Sequence, residues 1–285
     1  MLGALPACDL AMPTISLDLL IVPVDQQNTL TIRAKALAFA DPRSRQLLEQ
    51  LDEFAPHPHP VLLSGEWGTG RELLAKRLHE RSGRSGLFSS LSCTSLSRRH
   101  AGAELFGYLP RAYAGTSGSR MGWFGTAQNG TLYLDEIADL PQALQQELAQ
   151  VLREGSILRE GSSQRTAVDV RLIAGSSVDL ARAVAAGNFN EELWQLLSPG
   201  HLSVPALRER PADLLPLARH FLAQHAERLG RSPPTLTIED EAALLAYAWP
   251  GNIRELEQVL HTAVLTASTT GLELGKLLAP LSPPR

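Results

Sequence analysis

Residues 61–72 read VLLSGEWGTGRE and decide the fold class of this chain. The first four residues are apolar or small, as in a buried strand, and residues 73–81 continue as an amphipathic helix. The glycine-rich turn between them, residues 65–70, predicts a tight phosphate loop, because backbone N–H groups and a helix N-terminus converge there on an anion. We therefore predict a nucleotide-binding domain with α/β architecture.

This phosphate loop departs from the common pattern G-x-x-x-x-G-K-[ST] at its last two positions. Arg71 stands where a lysine is expected, and Glu72 stands where a hydroxyl is expected. Arginine keeps the positive charge, but its planar guanidinium is not interchangeable with a compact ammonium group. The residues predicted to contact the phosphates of a nucleotide are Gly65, Glu66, Trp67, Gly68, Thr69, Gly70, Arg71 and Glu72. The loop predicts nucleotide binding, and Arg71 leaves the chemistry at the phosphates open.

Composition is that of an ordinary globular protein of 285 residues with a net charge of −4. This charge gives no overall attraction to nucleic acid, so contact with a polyanion would need a local basic patch. The two cysteines exclude a disulfide framework or a cysteine metal cluster. The apolar N-terminus lacks a basic leader, and no run of about 20 apolar residues occurs, so we expect neither a signal peptide nor a membrane span. Cytoplasm is the predicted location.

Strand and helix patterns alternate through the first two thirds of the chain. Apolar runs predict strands at 86–92, 131–134 and 168–174, and helical patterns occur at 42–54, 140–153 and 178–186. This alternation predicts a parallel sheet with helices on both faces, in three layers. After Pro205 only helices are predicted, at 211–229, 238–248 and 252–268. We expect an N-terminal arm at 1–34, an α/β nucleotide-binding subdomain at 35–205, and a helical lid subdomain with a short tail at 206–285.

A second chemical signal is the strand TLYLDE at 131–136, which ends in adjacent carboxylates. In a nucleotide site, Asp135 would hold Mg²⁺ directly or through water, and Glu136 would polarise the attacking water. The alternative is a solvated loop start. The phosphate loop upstream, at a plausible βαβ distance, favours the functional interpretation.

Together these motifs resemble the AAA+ central domain of bacterial sigma-54-dependent transcriptional activators, also called enhancer-binding proteins. The resemblance covers roughly residues 36–268 and rests on VLLSGEWGTGRE, ELFG at 104–107, NGTLYLDEIAD at 129–139, residues 170–174 and WPGNIRELE at 249–257, in that order. It implies an AAA+ P-loop fold with a helical lid. It also implies a ring that hydrolyses ATP between subunits and remodels sigma-54 RNA polymerase.

The resemblance carries over unevenly to single residues. Asp135 and Glu136 match the family's catalytic pair, and Arg254 matches a lid arginine that reaches the phosphates. Asn190 and Leu196 occupy the positions of two arginines that reach the neighbouring subunit's ATP. An arginine finger typically contributes about 10³–10⁵ in rate, which neither residue can supply.

Further positions in the resemblance are also changed. Ser92 and Ser177 replace polar residues that restrain the catalytic glutamate and sense the nucleotide. The family's sigma-contacting loop, G-A-F-T-G-A, corresponds here to residues 111–116, RAYAGT, where Arg111 replaces the first glycine and Ala114 the threonine. After Ser268 the tail is too short and too rich in proline for a helix-turn-helix, so we predict no direct DNA binding. The lack of a run of about 20 apolar residues predicts no membrane contact.

Three hypotheses follow from these substitutions. In the first, the chain is a degenerate AAA+ domain that binds ATP or ADP with Mg²⁺ weakly or not at all. It would act through protein contacts, with sigma-54 RNA polymerase or an intact paralogous activator as partner in a homo- or hetero-oligomer. In the second, it is an active ATPase that remodels sigma-54 RNA polymerase. In the third, the cleft senses another phosphorylated ligand.

Overall fold

The structure is a computed structural model, and it describes residues 19–21, 36–97, 99–112, 118–267, 272 and 274–278. Most of the predicted arm, and residues 113–116 of the predicted contact loop, lie outside the described residues. In chain order the strands are β1 Leu19–Ile21, β2 Ala36–Ala38, β3 Val61–Ser64, β4 Phe88–Ser92, β5 Thr131–Asp135, β6 Ser156–Leu158, β7 Arg165–Ala167, β8 Arg171–Ser176 and β9 His201–Ser203. The helices are α1 Pro42–Phe54, α2 Arg71–Arg81, α3 Ala101–Phe106, α4 Gly122–Thr126, α5 Gln142–Glu154, α6 Leu180–Ala185, α7 Glu191–Leu197, α8 Pro211–Arg228, α9 Ile238–Ala246, α10 Asn252–Thr266 and α11 Leu274–Leu277.

A five-stranded sheet in the order β4-β5-β8-β3-β9 forms the centre of the molecule. All four of its strand pairings are parallel. Every residue of β8 is buried, as expected of a strand covered on both faces. Parallel pairing brings the carboxyl ends of β3, β5 and β8 to one edge, so the phosphate loop and the pair Asp135–Glu136 emerge side by side.

Two apolar clusters cover the two faces of this sheet. Alternate residues of β3 separate between them, with Val61 and Leu63 in one cluster and Leu62 in the other, because successive side chains of a strand point to opposite faces. The first cluster includes residues of α1, α2, α8 and α10. The second includes residues of α5 and α7. This three-layer arrangement confirms the predicted fold class.

Some predicted elements differ in position from the structure. The predicted strand 168–174 is displaced to Arg171–Ser176, and the residues before it form the antiparallel hairpin β6–β7. Sequence patterns did not predict this hairpin, β9 or α7. Each of β6, β7 and β9 has only three residues, which is too few for a periodic signal. In the N-terminal region, β1 pairs with β2 in an antiparallel two-stranded sheet.

Helices α8 to α11 follow the sheet, and Trp249 anchors the turn between α9 and α10. Its indole is 1% exposed, and its Nε1 donates to the carbonyl of Leu244 at 2.9 Å. Residues of α8 and α10 belong to the same apolar cluster as Val61 and Leu63 of the sheet. The division of the chain near residue 206 therefore stays a proposal. Within the described residues, no helix is both long and apolar enough to cross a membrane.

Candidate functional site

The phosphate loop, residues 65–70, closes the gap between β3 and α2. Gly68 and Gly70 adopt positive φ angles of 77° and 99°, which favour glycine. A Cβ on Gly68 would lie 2.3 Å from the carbonyl oxygen of Gly251, so the loop backbone approaches the lid too closely for any side chain there. Gly70 also caps α2, which begins at Arg71, two residues earlier than predicted.

Partners around the loop hold its carbonyl groups. Five carbonyl oxygens accept hydrogen bonds from side chains or from the lid backbone: Gly65 from Arg71 Nη1 at 2.5 Å, Glu66 from Thr69 Oγ1 at 2.8 Å, Trp67 from Asn252 Nδ2 at 2.9 Å, Gly68 from Ile253 N at 3.0 Å, and Thr69 from Arg210 Nη2 at 2.8 Å. Because the C=O and N–H of a trans peptide point in opposite directions, these bonds favour N–H groups that face the loop interior. That is the backbone arrangement an anion cradle needs.

Arg71 lies in the cradle's cation position, with a side chain that is 5% exposed. Its Nη2 donates to Asp135 Oδ1 at 3.1 Å and also to Glu136 Oε1. Its guanidinium carbon lies 5.8 Å from the centre of the Trp67 ring, within the range of a cation–π contact. Burial lowers the pKa of Arg71, but the charges of Asp135 and Glu136 and the contribution of Tyr133 outweigh this effect and raise it above the usual value. The guanidinium thus stays charged and pairs with both acids.

A tyrosine without a predicted role contributes a further hydrogen bond to the acidic pair. The phenol of Tyr133 donates to Asp135 Oδ1 at 2.7 Å. The two side chains share a strand face because they are two residues apart on β5, and this spacing is the signal that could have identified Tyr133 from sequence. Burial, and then the charge of Asp135, raise the pKa of the phenol well above its usual value. Tyr133 therefore remains a neutral donor.

Glu136 is held from two sides. Its Oε1 accepts from Arg71, and its Oε2 accepts from both the backbone N–H of Ser177 at 3.0 Å and the Ser177 hydroxyl at 2.8 Å. The residue is 2% exposed, and its backbone is left-handed with φ 53°. The predicted sensor position, Ser177, thus bonds directly to the predicted catalytic glutamate. The other predicted position near the glutamate is Ser92, and its hydroxyl bonds to the hydroxyl of Thr94 at 2.8 Å.

Three of the four carboxylate oxygens of the acidic pair are already bonded to protein donors, and among the described residues only Asp135 Oδ2 has none. Asp135 Oδ1 and both oxygens of Glu136 already accept hydrogen bonds from protein groups. The phosphate-loop hydroxyl that would ligate Mg²⁺ is replaced by Glu72. Magnesium requires near-octahedral oxygen ligation at about 2.0–2.1 Å, and of this pair only Asp135 Oδ2 can offer an oxygen without losing a present donor. The prediction that Asp135 holds Mg²⁺ stays untested, and the geometry argues against it.

Two other predicted contact residues are Glu66, within the loop, and Arg254, on the lid next to it. The carboxylate of Glu66 accepts from both Nη atoms of Arg208, at 2.8 and 2.5 Å, and from Asn252 Nδ2 at 3.2 Å. The bond from Arg208 is the main reason that the pKa of Glu66 falls from 4.5 to about 2. Arg254 is exposed, and its Cβ would lie 3.1 Å from a Cβ built on Gly68. The roles of both residues toward a nucleotide stay predictions.

The residues at the two substituted finger positions, Asn190 and Leu196, contact other parts of their own chain. Asn190 is the N-cap of α7, where its side chain accepts from the backbone N–H of Leu193. Leu196 packs against the second apolar cluster. Of the predicted contact loop, only residues 111 and 112 are described, and Arg111 has a positive φ of 68°.

A cleft of about 510 Å³ opens beside the phosphate loop at the carboxyl edge of the sheet. Ser64, Ser177, Asp179, Trp194 and His201 are among its lining residues. Ser64 Oγ lies 2.6 Å from His201 Nε2, and the rings of Trp194 and His201 make an edge contact. The volume lies within the range of small-molecule sites.

The parallel sheet, the phosphate loop followed by a helix, the adjacent carboxylates at the next strand end and the helical lid define a P-loop protein of the AAA+ class. Residues 37–203 match the family model of the sigma-54 interaction domain, and residues 208–283 match that of the AAA+ ATPase lid domain. The chain belongs to the family of sigma-54-dependent transcriptional activators, which confirms the resemblance.

Characterised relatives agree with this assignment. The chain is 44% identical over 251 residues to the sigma54-dependent transcriptional activator SfnR of Pseudomonas putida, covering 88% of this chain and 69% of the relative. It is 41% identical over 270 residues to the anaerobic nitric oxide reductase transcription regulator NorR of Citrobacter koseri, covering 92% of this chain and 53% of the relative.

Solved structures with the same fold include NtrX from Brucella abortus in complex with ADP. It has a TM-score of 0.77 and 30% sequence identity, over 85% of this chain and 54% of that one. NtrX in complex with ATP gives a TM-score of 0.73 and 31% identity, over 80% and 50% of the two chains. This chain thus spans about two thirds of SfnR and about half of NorR and NtrX.

Proposed function

We propose that this chain is a sigma-54-activator-type AAA+ domain that regulates transcription through protein contacts, with weak or no ATP hydrolysis. The observation that carries the proposal is the ion pairing of Arg71 with both Asp135 and Glu136. In an active site these carboxylates would serve a metal ion and a water molecule. Here they neutralise a buried arginine instead.

Charge balance supports weak nucleotide binding. The backbone cradle is intact, and relatives in this family have been solved with ADP and ATP bound. However, Arg71 faces two carboxylates, so the cluster carries a net negative charge when all three groups are ionised. An incoming phosphate would therefore meet repulsion where a free lysine would attract it. The proposed contacts remain the loop residues 65–72 together with Arg254.

Within the part of the chain that the structure describes, the site also lacks a free catalytic carboxylate and the arginine fingers that ATP hydrolysis needs. Glu136 must release Arg71 or Ser177 before it can orient a water molecule. In a ring of identical chains, Asn190 and Leu196 would supply no positive charge to a neighbour's phosphates. Loss of an arginine finger alone removes about 10³–10⁵ in rate.

Protein partners follow from family membership. We propose sigma-54 RNA polymerase, or an intact paralogous activator in a mixed ring, as the partner, in the cytoplasm. The arm at 1–34, the α/β subdomain at 35–205 and the lid subdomain at 206–285 are the proposed units of the chain. A mixed ring would let an intact neighbour supply the arginines that this chain lacks.

The decisive experiment is calorimetric titration with ATP, with turnover measured on the same preparation. We expect weak or undetectable binding and turnover well below about 0.1 per second, a rate still within reach of slow enzymes. Arg71→Lys should raise the affinity for ATP at least tenfold, whereas Arg77→Lys on the same helix, whose arginine pairs with the exposed Asp52, should leave it unchanged. Wild-type turnover at or above that rate would establish the active-ATPase hypothesis instead.

The protein-contact part of the proposal has its own measurement. Immobilised sigma-54 should retain the wild-type chain to the same extent with and without ATP. Retention that requires ATP would contradict a nucleotide-independent contact.

A further inference from the structure

We propose that Arg71 and Tyr133 together replace the divalent cation of this site, so that any polyphosphate ligand binds there without a metal ion. This inference rests on the proposed function and deepens it, because it specifies the form of the ligand. It treats the guanidinium as a resident cation of the protein.

Asp135 is the first of the two acids that would have to ligate a metal ion. Its Oδ1 accepts from the Tyr133 phenol at 2.7 Å and from Arg71 Nη2 at 3.1 Å. A metal ion at Oδ1 would have to displace both donors, and one at Oδ2 would lie on the same carboxylate as the Arg71 guanidinium, whose positive charge repels it. The displaced phenol would then be left in a fully buried position, where an unpaired polar group is costly.

Glu136 is the second acid next to which a metal ion would bind. Its Oε1 accepts from Arg71, and its Oε2 accepts from the N–H and hydroxyl of Ser177. With a side chain that is only 3% exposed, it has little access to water that could replace these bonds. The donors around Glu136 therefore favour its present geometry over metal ligation.

Arg71 itself cannot leave as a neutral group. Arginine is not deprotonated in proteins, and the surrounding carboxylates raise its pKa further. Displacement by Mg²⁺ would therefore move a second cation, not a neutral side chain, out of a buried site. Breaking a buried ion pair in this way is strongly unfavourable.

A metal-free anion meets different requirements. The bonds from Arg71 to Gly65, Asp135 and Glu136 use three of the five N–H groups of a guanidinium. Both N–H groups of Nη2 are directed to the acids, so Arg71 can offer a phosphate its charge and single N–H bonds but no bidentate fork, and the cradle supplies backbone donors next to it. A metal-free phosphate in the cradle would be repelled by the acidic pair and so bind weakly, but it would leave the bonds of Arg71 to both acids in place.

The test compares calorimetric titrations of the full chain with ADP in excess Mg²⁺ and in EDTA. For the wild type, we expect Mg²⁺ to bring no gain in affinity. The double variant Arg71→Lys, Tyr133→Phe frees Asp135 Oδ1, and we expect its affinity for ADP to rise at least tenfold on addition of Mg²⁺. The single variants Arg71→Lys and Tyr133→Phe show whether either donor alone excludes the metal. Circular-dichroism melts establish that each variant is folded.

A matched control pair keeps the chemistry of the changes and moves them away from the site. Arg77→Lys and Tyr247→Phe remove a guanidinium from Asp52 and a phenol from Glu255, and neither should make ADP binding depend on Mg²⁺. A wild type whose ADP affinity rises tenfold with Mg²⁺ would overturn the inference. So would folded double and single variants that all remain insensitive to Mg²⁺.

The outcomes separate this inference from the proposed function. Tight ADP binding by the wild type in EDTA would contradict weak nucleotide binding and leave the metal-free inference standing. Weak binding that Mg²⁺ strengthens, without turnover, would contradict the metal-free inference and leave the proposed function standing.

Discussion

The side-chain oxygen of Asn190 accepts a hydrogen bond from the backbone N–H of Leu193 at 2.8 Å. The first of the two finger positions is therefore the N-cap of α7, where it satisfies one of the N–H groups that a helix leaves unpaired at its start. The backbone N–H of Asn190 also donates to Gln145 on α5, at 2.7 Å. A residue that the resemblance assigns to a neighbour's active site thus stabilises the chain's own helix.

Removal of this cap should cost stability. We expect Asn190→Ala to lower the free energy of unfolding by about 1 kcal/mol, because the N–H of Leu193 loses its acceptor, and Asn190→Asp to be close to wild type. Urea denaturation measures both, with Asn188→Ala at an exposed neighbouring position as the control. Equal stability of Asn190→Ala and wild type would show that the cap contributes nothing.

The buried ion pairs of Arg71 predict a larger effect. Arg71→Ala leaves Glu136 charged and nearly inaccessible to water, so we expect the free energy of unfolding to fall by about 3–5 kcal/mol at neutral pH. Arg77→Ala, which breaks a surface pair with Asp52, should cost less than about 1 kcal/mol. Urea denaturation of the two variants side by side measures both losses in unfolding free energy. Equal losses would show that the buried pairs of Arg71 contribute no more to stability than a surface pair.

Glu66 predicts a pH dependence. Its pKa falls from 4.5 to about 2 on folding, chiefly through the bond from Arg208. A depressed folded pKa adds stability that is present above 4.5 and is lost as the pH falls from 4.5 toward 2. Because Glu66 is 43% exposed, water and salt screen the interaction, and the gain should stay below about 1 kcal/mol.

The variant Glu66→Gln tests this dependence. Its deficit in unfolding free energy relative to wild type should be present at neutral pH and shrink as the pH falls below 4.5. Glu53→Gln, at an exposed position on α1, serves as the control. A deficit that stays constant across this range would exclude the Arg208 bond as its source.

The hydrogen bonds of Asn252 connect the lid to the phosphate loop, and we expect their loss to lower stability. Its side chain accepts from the N–H of Leu207 at 2.7 Å and donates to the carbonyl of Trp67 at 2.9 Å. The residue is fully buried and has a positive φ of 54°, which asparagine tolerates better than alanine. Asn252→Ala should lower the free energy of unfolding by at least about 2 kcal/mol. Thermal and urea melts measure the loss, and a variant as stable as wild type would contradict the role given to these bonds.

The sequence was informative wherever a motif fixes the backbone. The glycines of the phosphate loop and the apolar run of β5 predicted the parallel sheet and the position of the acidic pair, because these signals depend on local geometry alone. The partner of Arg71 was not predictable, since the choice between an anion and the acids depends on contacts between residues 64 positions apart. Tyr133 could have been found from its spacing to Asp135. The short strands β6, β7 and β9 could not, because their pairing is decided by the surrounding fold.

The self-neutralised arginine has a consequence for the protein's lifetime. A protein that binds a nucleotide only when folded gains stability in proportion to the logarithm of nucleotide concentration. If Arg71 satisfies the acidic pair from within, this gain largely disappears. We therefore expect the amount of folded chain to be nearly independent of the ATP concentration in the cell.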